Sequence, residues 1–199
     1  MTRRGFLRTA IASPFFLFST PFAWSGERFS LAGTVFEKVG LEENIDPVLL
    51  YAIACVESAI AAGKQGYIQP YPWTLRYAGR PYYGKTKRDA ERELRIIMLR
   101  EKRPNVDIGI AQINSLWHGH RVKHLTDLLD PYTNLKVASQ ILNECMKRHP
   151  DDVFLAIGTY HSSDPMRAKR YARFVARVYS SVKNDQIGQA PLNVKESIA

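Results

Sequence analysis

Apolar residues recur at helical spacing along most of the chain. Three Asp-Pro pairs, at residues 46–47, 130–131 and 164–165, each stand immediately before such a stretch. An Asp side chain can cap the free N–H groups of a first helical turn, and proline fits the first position inside it. The pattern therefore predicts a helix after each pair and a mainly α-helical protein.

Three further segments show the same periodicity. Gly40 is expected to end the first of them, since glycine commonly ends helices. Thr86 and Asp89 resemble a capping box at the start of the second. The predicted helices cover residues 28–39, residues 87–102 and about residues 152–160.

Residues 67–83 break this pattern, because they are rich in aromatic residues and prolines. Within them, residues 73–77 and 80–83 flank a two-residue turn, as in a small β-hairpin. Pro81 lacks an N–H to donate, so its strand is expected at a sheet edge. The predicted fold class is mainly α with a small β-hairpin insert.

The first 25 residues have the features of an export signal. Arg3, Arg4 and Arg8 precede an apolar run, and residues 23–25 form a small-x-small cleavage site. Both a twin-arginine and a Sec leader fit this pattern. The run is too short and too broken by prolines for a comfortable membrane span. We therefore expect a protein of the periplasm.

Length and charge narrow the picture further. The chain of 199 residues suits one domain, predicted over residues 26–182, with a flexible polar tail over residues 183–199. Without the leader, which holds three arginines and no acids, 25 basic and 19 acidic residues remain. This excess favours an anionic polymer or surface, and after export cell-wall material is expected rather than nucleic acid.

A single glutamate, Glu57, shares a helical stripe with apolar residues. Leu50, Ile53 and Ala54 precede it on the same face. The carboxyl is therefore expected to point inward, where burial disfavours the charged form and retains the proton that a general acid donates. A glutamate that turns to water at the helix end is the alternative.

Two cysteines, Cys55 and Cys145, each lie on an apolar helical stripe. In an oxidising compartment they can form one disulfide, which would join the Glu57 helix to the helix of Cys145. We favour this bridge, and two buried free thiols are the alternative.

Two short segments carry further candidate side chains. Gly109 permits a close backbone approach, and an amide buried near it needs hydrogen-bond partners. Gln112 and Asn114 suit the hydroxyl and N-acetyl groups of a polymeric sugar, and a helix cap or core hydrogen bond is the alternative. Further on, Tyr160 and His161 end an apolar helix with a phenol and an imidazole. A tyrosine there is usually a core residue anchored at the surface.

Other chemistries find little support in the sequence. His118, His120 and His124 suggest a metal site, but the acidic or thiolate ligands of a recognisable zinc pattern are missing. No nucleophile elbow, phosphate loop or nucleic-acid-binding motif is present. We therefore predict neither a metal nor a cofactor.

Four segments together resemble a known family in order and spacing. They are Glu57-Ser58, Gly109-Ile-Ala-Gln-Ile-Asn114, Asp130-Pro-Tyr-Thr-Asn134 and Thr159-Tyr160. The arrangement, over roughly residues 42–162, is similar to the goose-lysozyme-like lytic transglycosylases of glycoside hydrolase family 23. The insert over residues 70–83 resembles the small periplasmic members that accompany conjugation and type IV secretion machines.

The resemblance implies a lysozyme-like domain that cleaves peptidoglycan glycan strands, with components of such a machine as further partners. Glu57 would be the catalytic acid and then the base, supported by Ser58. Gln112 would bind the substrate near the cleaved bond, and Tyr160 would position the sugar or the acid. The substrate-binding set implied in this way is Ser58, Gln112, Asn114, Tyr160 and His161.

The number of carboxylates bears on the mechanism. Ordinary glycosidases use two, but here only Glu57 has both an apolar setting and a place in the family pattern. Asp107 is the one candidate for a second, and it is interpreted as a loop or cap residue. The family mechanism then has the substrate's N-acetyl group stabilise the developing cation and its own 6-hydroxyl close a 1,6-anhydro ring.

Two departures and two alternatives accompany this interpretation. Ala111 replaces the family's usual methionine, and His161 stands where asparagine is usual, which bears on the substrate contact rather than on the acid. The alternatives are a muramidase that uses water, and a weakly active scaffold that binds the wall.

Stacking surfaces for the glycan are expected from the aromatic residues of the insert, namely Tyr67, Tyr71, Trp73, Tyr77, Tyr82 and Tyr83.

Overall fold

The computed structural model describes residues 29–62 and 67–184, with side chains omitted for residues 60–62 and 67–68. The predicted leader, residues 1–25, lies outside the described residues, as does the predicted tail from residue 185 onward. The side chain of Tyr67 lies outside them as well.

Helices make up most of the described chain, as the sequence predicts. Asp46, Asp130 and Asp164 each accept a hydrogen bond from a backbone N–H in the first turn of the helix that follows. Thr86 and Asp89 form the predicted capping box. The helices are α1 (Val35–Glu43), α2 (Pro47–Ser58), α3 (Lys87–Arg100), α4 (Ser115–His118), α5 (Pro131–Arg148), α6 (Val153–His161) and α7 (Pro165–Lys183).

The first helix differs from its prediction. It begins at Val35, after a Thr34 cap, and it continues through Gly40 to end at Asn44, whose φ is 53°. Gly40 serves packing instead of ending the helix. A Cβ at Gly40 would lie 2.7 Å from the carbonyl oxygen of Ile45, so the chain can turn closely past the helix only without a side chain there.

The predicted hairpin exists as part of a larger antiparallel sheet. It consists of β3 (Thr74–Tyr77) and β4 (Arg80–Tyr83), and the sheet order is β4-β3-β5-β6. Pro81 lies on the edge strand β4, as predicted. The sequence analysis missed β5 (Val106–Ile108) and β6 (Ile113–Asn114), which form a second hairpin, and the separate pair β1 (Ile60–Ala62) and β2 (Tyr67–Gln69).

The core surrounds α2. This helix packs against α1 and α7, while α6 packs against α5 and α7. Leu50, Ile53 and Ala54 are buried as their spacing predicts. The packing brings the carboxyl-terminal ends of α2 and α6 next to the β5–β6 hairpin. Among the described residues, no helix combines the length and the apolar character that a membrane crossing requires.

Candidate active site

A cleft of about 770 Å³ lies where α2, α6 and the β5–β6 hairpin meet. Its volume falls within the range of small-molecule and substrate sites. Five of the predicted site residues line it, namely Glu57, Gln112, Asn114, Tyr160 and His161. It is also lined by residues that the sequence analysis did not assign to a site, among them Arg76, Asp107, Trp117, His118, Glu144 and Arg148.

Glu57 lies in the last turn of α2, with its side chain 14% exposed. The residues before it on the stripe are fully buried, so the carboxyl occupies the boundary between core and cleft. Glu57 Oε1 lies 3.8 Å from His161 Nδ1. The Glu57 carboxyl is therefore only slightly exposed, and the exposed part can contact a molecule bound in the cleft.

The loop between β5 and β6 forms the wall beside Glu57. It begins at Gly109, whose φ is 80°, and a Cβ there would lie 2.3 Å from both Asn134 Nδ2 and the Leu128 carbonyl oxygen. No other residue fits this combination of a left-handed backbone and close approach. Glycine at this position thus follows from the packing of α5 against the loop.

Buried and half-buried side chains from three helices fix this loop. The Ser58 hydroxyl donates to the Ile110 carbonyl at 2.7 Å. Asn134 accepts from Ala111 N–H at 2.9 Å and donates to the carbonyls of Ile108 and Leu128, both at 2.8 Å. The Tyr160 hydroxyl donates to the Ala111 carbonyl at 3.1 Å. The polar side chains of the Glu57-Ser58, Asp130–Asn134 and Thr159-Tyr160 segments therefore hold the β5–β6 loop against Glu57.

Ser58 accordingly stands apart from the other predicted binding residues. It is completely buried, and its oxygen also accepts from Tyr71 N–H at 3.0 Å. All of these bonds stay within the protein, so the structure does not bring Ser58 into the cleft. It connects α2 to the loop.

Gln112 has a left-handed backbone, with φ of 48°, which is uncommon for a residue with a side chain. Its amide nitrogen donates to the carbonyls of Gly109 at 2.9 Å and Thr74 at 3.2 Å. Its amide oxygen accepts no hydrogen bond from the described residues. Strained backbones of this kind cluster at functional sites, and the oxygen is available to a bound molecule.

Asn114 and Asp107 pair across the β5–β6 hairpin. The Asn114 oxygen caps α4 by accepting from Leu116 and Trp117, and its nitrogen donates to Asp107 Oδ1 at 2.8 Å. The helix cap that the sequence analysis left open is therefore present, although Asn114 also lines the cleft. Asp107 lies on β5, not in a loop or cap, and this corrects its interpretation.

Asp107 is a second carboxyl in the same cleft as Glu57. Burial raises its pKa above the ordinary value, and the charge of Glu57 acts in the same direction. The hydrogen bond from Asn114 and the positive charge of Arg76 oppose that rise. The alternation of the strand points Asp107 into the cleft between two buried neighbours, and a strand assignment from sequence would have revealed it.

His161 is fixed by an aromatic stack. Its ring lies parallel to that of Tyr171, with 4.5 Å between centroids and 2° between planes. Tyr171, from α7, is buried, and among the described residues its hydroxyl makes a contact with the Glu57 carboxyl that is longer than an ordinary hydrogen bond. Burial raises the pKa of Tyr171 well above its ordinary value, with the nearby Glu57 carboxylate as the next cause.

The tyrosine in the predicted binding set is also held neutral. Burial raises the pKa of Tyr160 well above its ordinary value, and the charges of Glu57 and Asp107 add to the effect. The phenol therefore remains a hydrogen-bond donor to the loop carbonyl throughout the physiological pH range.

Cys55 and Cys145 are both buried free thiols in the structure, so the favoured disulfide is wrong and its alternative holds. Burial raises the pKa of Cys55 to about 12. Cys145 instead accepts a hydrogen bond from Arg148 Nη2 at 3.1 Å. Each cysteine is packed within its own helix environment, which explains the apolar stripes without a bridge.

The aromatic residues of the insert do not form the expected stacking surface in the cleft. Among the described side chains, Tyr71 packs edge-on against Trp73 and Tyr83, and Tyr77 donates to Glu101. Trp117, which lines the cleft and is 70% exposed, presents an aromatic ring to it instead. Packing within a small hairpin thus accounts for the insert's aromatic residues.

The histidines are placed by ordinary contacts. His118 Nδ1 accepts from Arg121 Nε at 3.4 Å, and burial lowers the pKa of His118. Within the described ranges, no group of three or more His, Cys, Asp or Glu side chains lies close enough to hold a metal ion.

Comparison with curated proteins and with solved structures gave no significant match. Comparison with family models did give one, and it covers the helices and the hairpin that build the cleft. Residues 34–180 match the model described as the Transglycosylase SLT domain, so the chain belongs to that family.

Proposed function

We propose that the protein is a lytic transglycosylase that cuts the β-1,4 bond between N-acetylmuramic acid and N-acetylglucosamine and leaves a 1,6-anhydro end. Membership of the SLT family gives peptidoglycan as the substrate class and lytic transglycosylase as the enzyme class. The observation that carries the finer proposal is the position of Glu57, largely buried at the edge of a cleft lined by amide, phenol and imidazole groups.

In this mechanism Glu57 first acts as the acid. Its protonated carboxyl gives a proton to the bridging oxygen as the bond from that oxygen to C1 of the muramic acid breaks. The substrate's N-acetyl oxygen bonds to C1 and stabilises the cation. The Gln112 amide oxygen and the surrounding loop provide the polar contacts that orient the sugar.

Glu57 then acts as the base. Its carboxylate removes the proton from the 6-hydroxyl, the oxygen bonds to C1, and the N-acetyl group is released. Glu57 has regained its proton, and no water is consumed. Low exposure of the carboxyl favours this outcome, since a dry site limits competing hydrolysis.

A muramidase is the second candidate, and the observation in its favour is Asp107. Glycosidases that use water employ two carboxyl groups on either side of the bond. Asp107 and Glu57 line the same cleft and influence each other electrostatically. In that reaction Asp107 would stabilise the cation or position the attacking water.

The deciding measurement is mass spectrometry of the soluble fragments released from purified sacculi. We expect fragments with anhydro ends, which lack one water relative to hydrolytic fragments. Reducing ends as the main product would replace the proposal by the muramidase.

Glu57→Gln should abolish release while folding and binding to sacculi persist, because the amide keeps the shape but cannot donate a carboxylic proton. Release by that variant at the wild-type rate would contradict both candidates.

We also propose that the protein acts in the periplasm and opens the wall locally for a conjugation or secretion apparatus. The sequence of the leader and the resemblance of the insert support this context. Deleting the gene should lower transfer or secretion, and wild-type protein, but not Glu57→Gln, should restore it. Restoration by the inactive variant would indicate a wall-binding scaffold instead.

A further inference from the structure

We infer that the end of the cleft formed by α4 and the last turns of α5 binds carboxylate groups of the peptide stems on the glycan strand. The inference rests on the proposed function, because it takes peptidoglycan as the substrate. Its central residue is Arg148, and the surface is named here the α5 subsite, consisting of Trp117, His118, Glu144 and Arg148.

The one carboxylate of this subsite is already paired. Both oxygens of Glu144 accept from the Arg121 guanidinium, at 2.8 Å each. This hydrogen bonding is the main cause that lowers the pKa of Glu144, with the charges of His118 and Arg148 contributing. The bidentate pair uses the preferred geometry of a carboxylate with an arginine, so Glu144 is committed to Arg121.

Within the described part of the chain, the hydrogen bonds of the Arg148 guanidinium go to an uncharged side chain and a main-chain group. Its nitrogens donate to the Cys145 sulfur at 3.1 Å and to the Glu144 main-chain carbonyl at 3.3 Å. Among the described residues, none of its nitrogens forms an ion pair. Two guanidinium groups thus surround one carboxylate, and the surplus positive charge lies in the cleft wall. A planar guanidinium presents several donors that match a carboxylate.

The neighbouring groups extend the surface without adding acid. Trp117 is 70% exposed and offers a flat face on which a sugar ring can lie. Burial and the charges of Arg121 and His120 lower the pKa of His118, which favours its uncharged form. The subsite therefore combines an apolar platform with a guanidinium that forms no ion pair among the described residues.

The proposed substrate supplies a matching group. Its sugar backbone is uncharged, whereas the peptide stem attached to the lactyl group of each muramic acid carries free carboxylates. A strand whose scissile bond lies at Glu57 continues along the same cleft, which runs from Glu57 to Arg148. Arg148 is thus expected to favour strands that carry charged stems.

The test is a binding measurement in the Glu57→Gln background, with two disaccharide-peptides that differ only in whether the stem carboxylates are free or amidated. Titration calorimetry should give about 1.5- to 5-fold tighter binding of the free acid, the range typical of one partly exposed charge pair. Arg148→Gln should reduce this ratio to about one, and Arg148→Lys should retain part of it. Arg95→Gln, an exposed arginine on α3 away from the cleft, should leave it unchanged.

Equal binding of the two ligands, or a ratio that persists in Arg148→Gln, would overturn the subsite. Circular dichroism of each variant separates a lost contact from a lost fold, and the lysine variant tests the charge even if glutamine destabilises the helix end. Because no turnover is needed, failure of this experiment leaves the proposed reaction standing. Conversely, a protein that releases no fragments could still show the ratio.

Discussion

His161 Nδ1 lies 3.8 Å from Glu57 Oε1, and the imidazole is held there by its parallel stack on Tyr171. This distance is too long for a hydrogen bond but short enough for charge to matter. His161 is also the position at which the chain departs from the asparagine of the family it resembles. The departure thus places a titratable group beside the proposed acid.

Replacing His161 by Asn should change the pH dependence of fragment release. A protonated imidazole favours the charged carboxylate next to it, whereas the acid step needs the carboxyl protonated. Asparagine cannot carry that charge, so the pH profile of fragment release should differ in shape between the wild type and His161→Asn. Release rates measured from about pH 4.5 to 8 provide the comparison.

The charge around His161 also depends on the other titratable groups that line the cleft. Asp107 contributes negative charge to the same cleft, while the phenols of Tyr160 and Tyr171 stay neutral. Glu57 is the acid within the ion-pair distance. Profiles of identical shape in wild type and variant would show that the imidazole has only a packing role.

Asp107→Asn should stabilise the protein near neutral pH and leave anhydro products in place. Burial raises the pKa of Asp107 above the ordinary 3.8, so the native state binds its proton more tightly than the unfolded chain. The associated stability is present below that ordinary value and declines as the pH rises through the folded pKa. Asparagine does not ionise, so it avoids the cost of a buried charge, and its amide oxygen can still accept the hydrogen bond from Asn114.

Thermal denaturation at pH 7 and pH 3 checks the stability, with the variant's gain expected at pH 7 and absent at pH 3. Fragment analysis checks the chemistry. A mechanism with one carboxyl retains release of anhydro ends by Asp107→Asn. Loss of release as complete as in Glu57→Gln would contradict that mechanism and support two cooperating carboxyl groups.

Tyr171→Phe should cost no stability and should slow the release of fragments. Within the described residues the buried hydroxyl has no partner at ordinary hydrogen-bond distance and makes a longer contact with the Glu57 carboxyl, so its removal forfeits no strong hydrogen bond and relieves a desolvated polar atom. Its electrostatic link to Glu57 is the reason to expect an effect on activity. The expected change in unfolding free energy is within about 0.5 kcal/mol of zero or in the stabilising direction.

Ser139→Ala is the matched control for that substitution. Its hydroxyl is likewise buried without a partner among the described residues, but on α5 and outside the cleft lining. It should change stability as little and leave release at the wild-type rate. Equal activity in both variants would show that the Tyr171 hydroxyl does nothing for Glu57.

Local chemistry in the sequence accounts for most of the helical framework. An Asp-Pro pair specifies a helix start through its own side chain and ring, so the starts of α2, α5 and α7 could be predicted without knowledge of the fold. The stripe that ends at Glu57 likewise indicated the core before any partner helix was known. Such signals depend only on neighbours within a turn or two.

The features that could not be predicted depend on contacts between distant segments. Glycine is common at helix ends, but Gly40 lies inside its helix, where Pro47 packs so closely that a side chain would not fit. The strand of Asp107 is three residues long and pairs with β3, about thirty residues earlier in the chain. Ser58 was assigned to the substrate-binding set, but it serves the site indirectly by holding its loop, as Asn134 does.

The tightest of these long-range contacts gives the last prediction, Gly109→Ala. Two separate costs coincide at Gly109: φ is 80°, and a new Cβ would lie 2.3 Å from both Asn134 Nδ2 and the Leu128 carbonyl. Asn134 cannot retreat without breaking its three buried hydrogen bonds to the loop and to Leu128. We expect a loss of at least about 3 kcal/mol of unfolding free energy, or failure to fold.

Gly79→Ala isolates the backbone part of that cost. Gly79 has a φ of 75°, but no atom lies within 4 Å of the position that a Cβ would take there, so only the left-handed conformation is penalised. The expected loss is about 1 kcal/mol. Urea denaturation of the two variants measures the difference, which reports how rigidly α5 holds the loop against Glu57. Similar losses of unfolding free energy in both variants would mean that the β5–β6 loop rearranges at little cost. The cleft wall beside the proposed acid would then be flexible rather than preorganised.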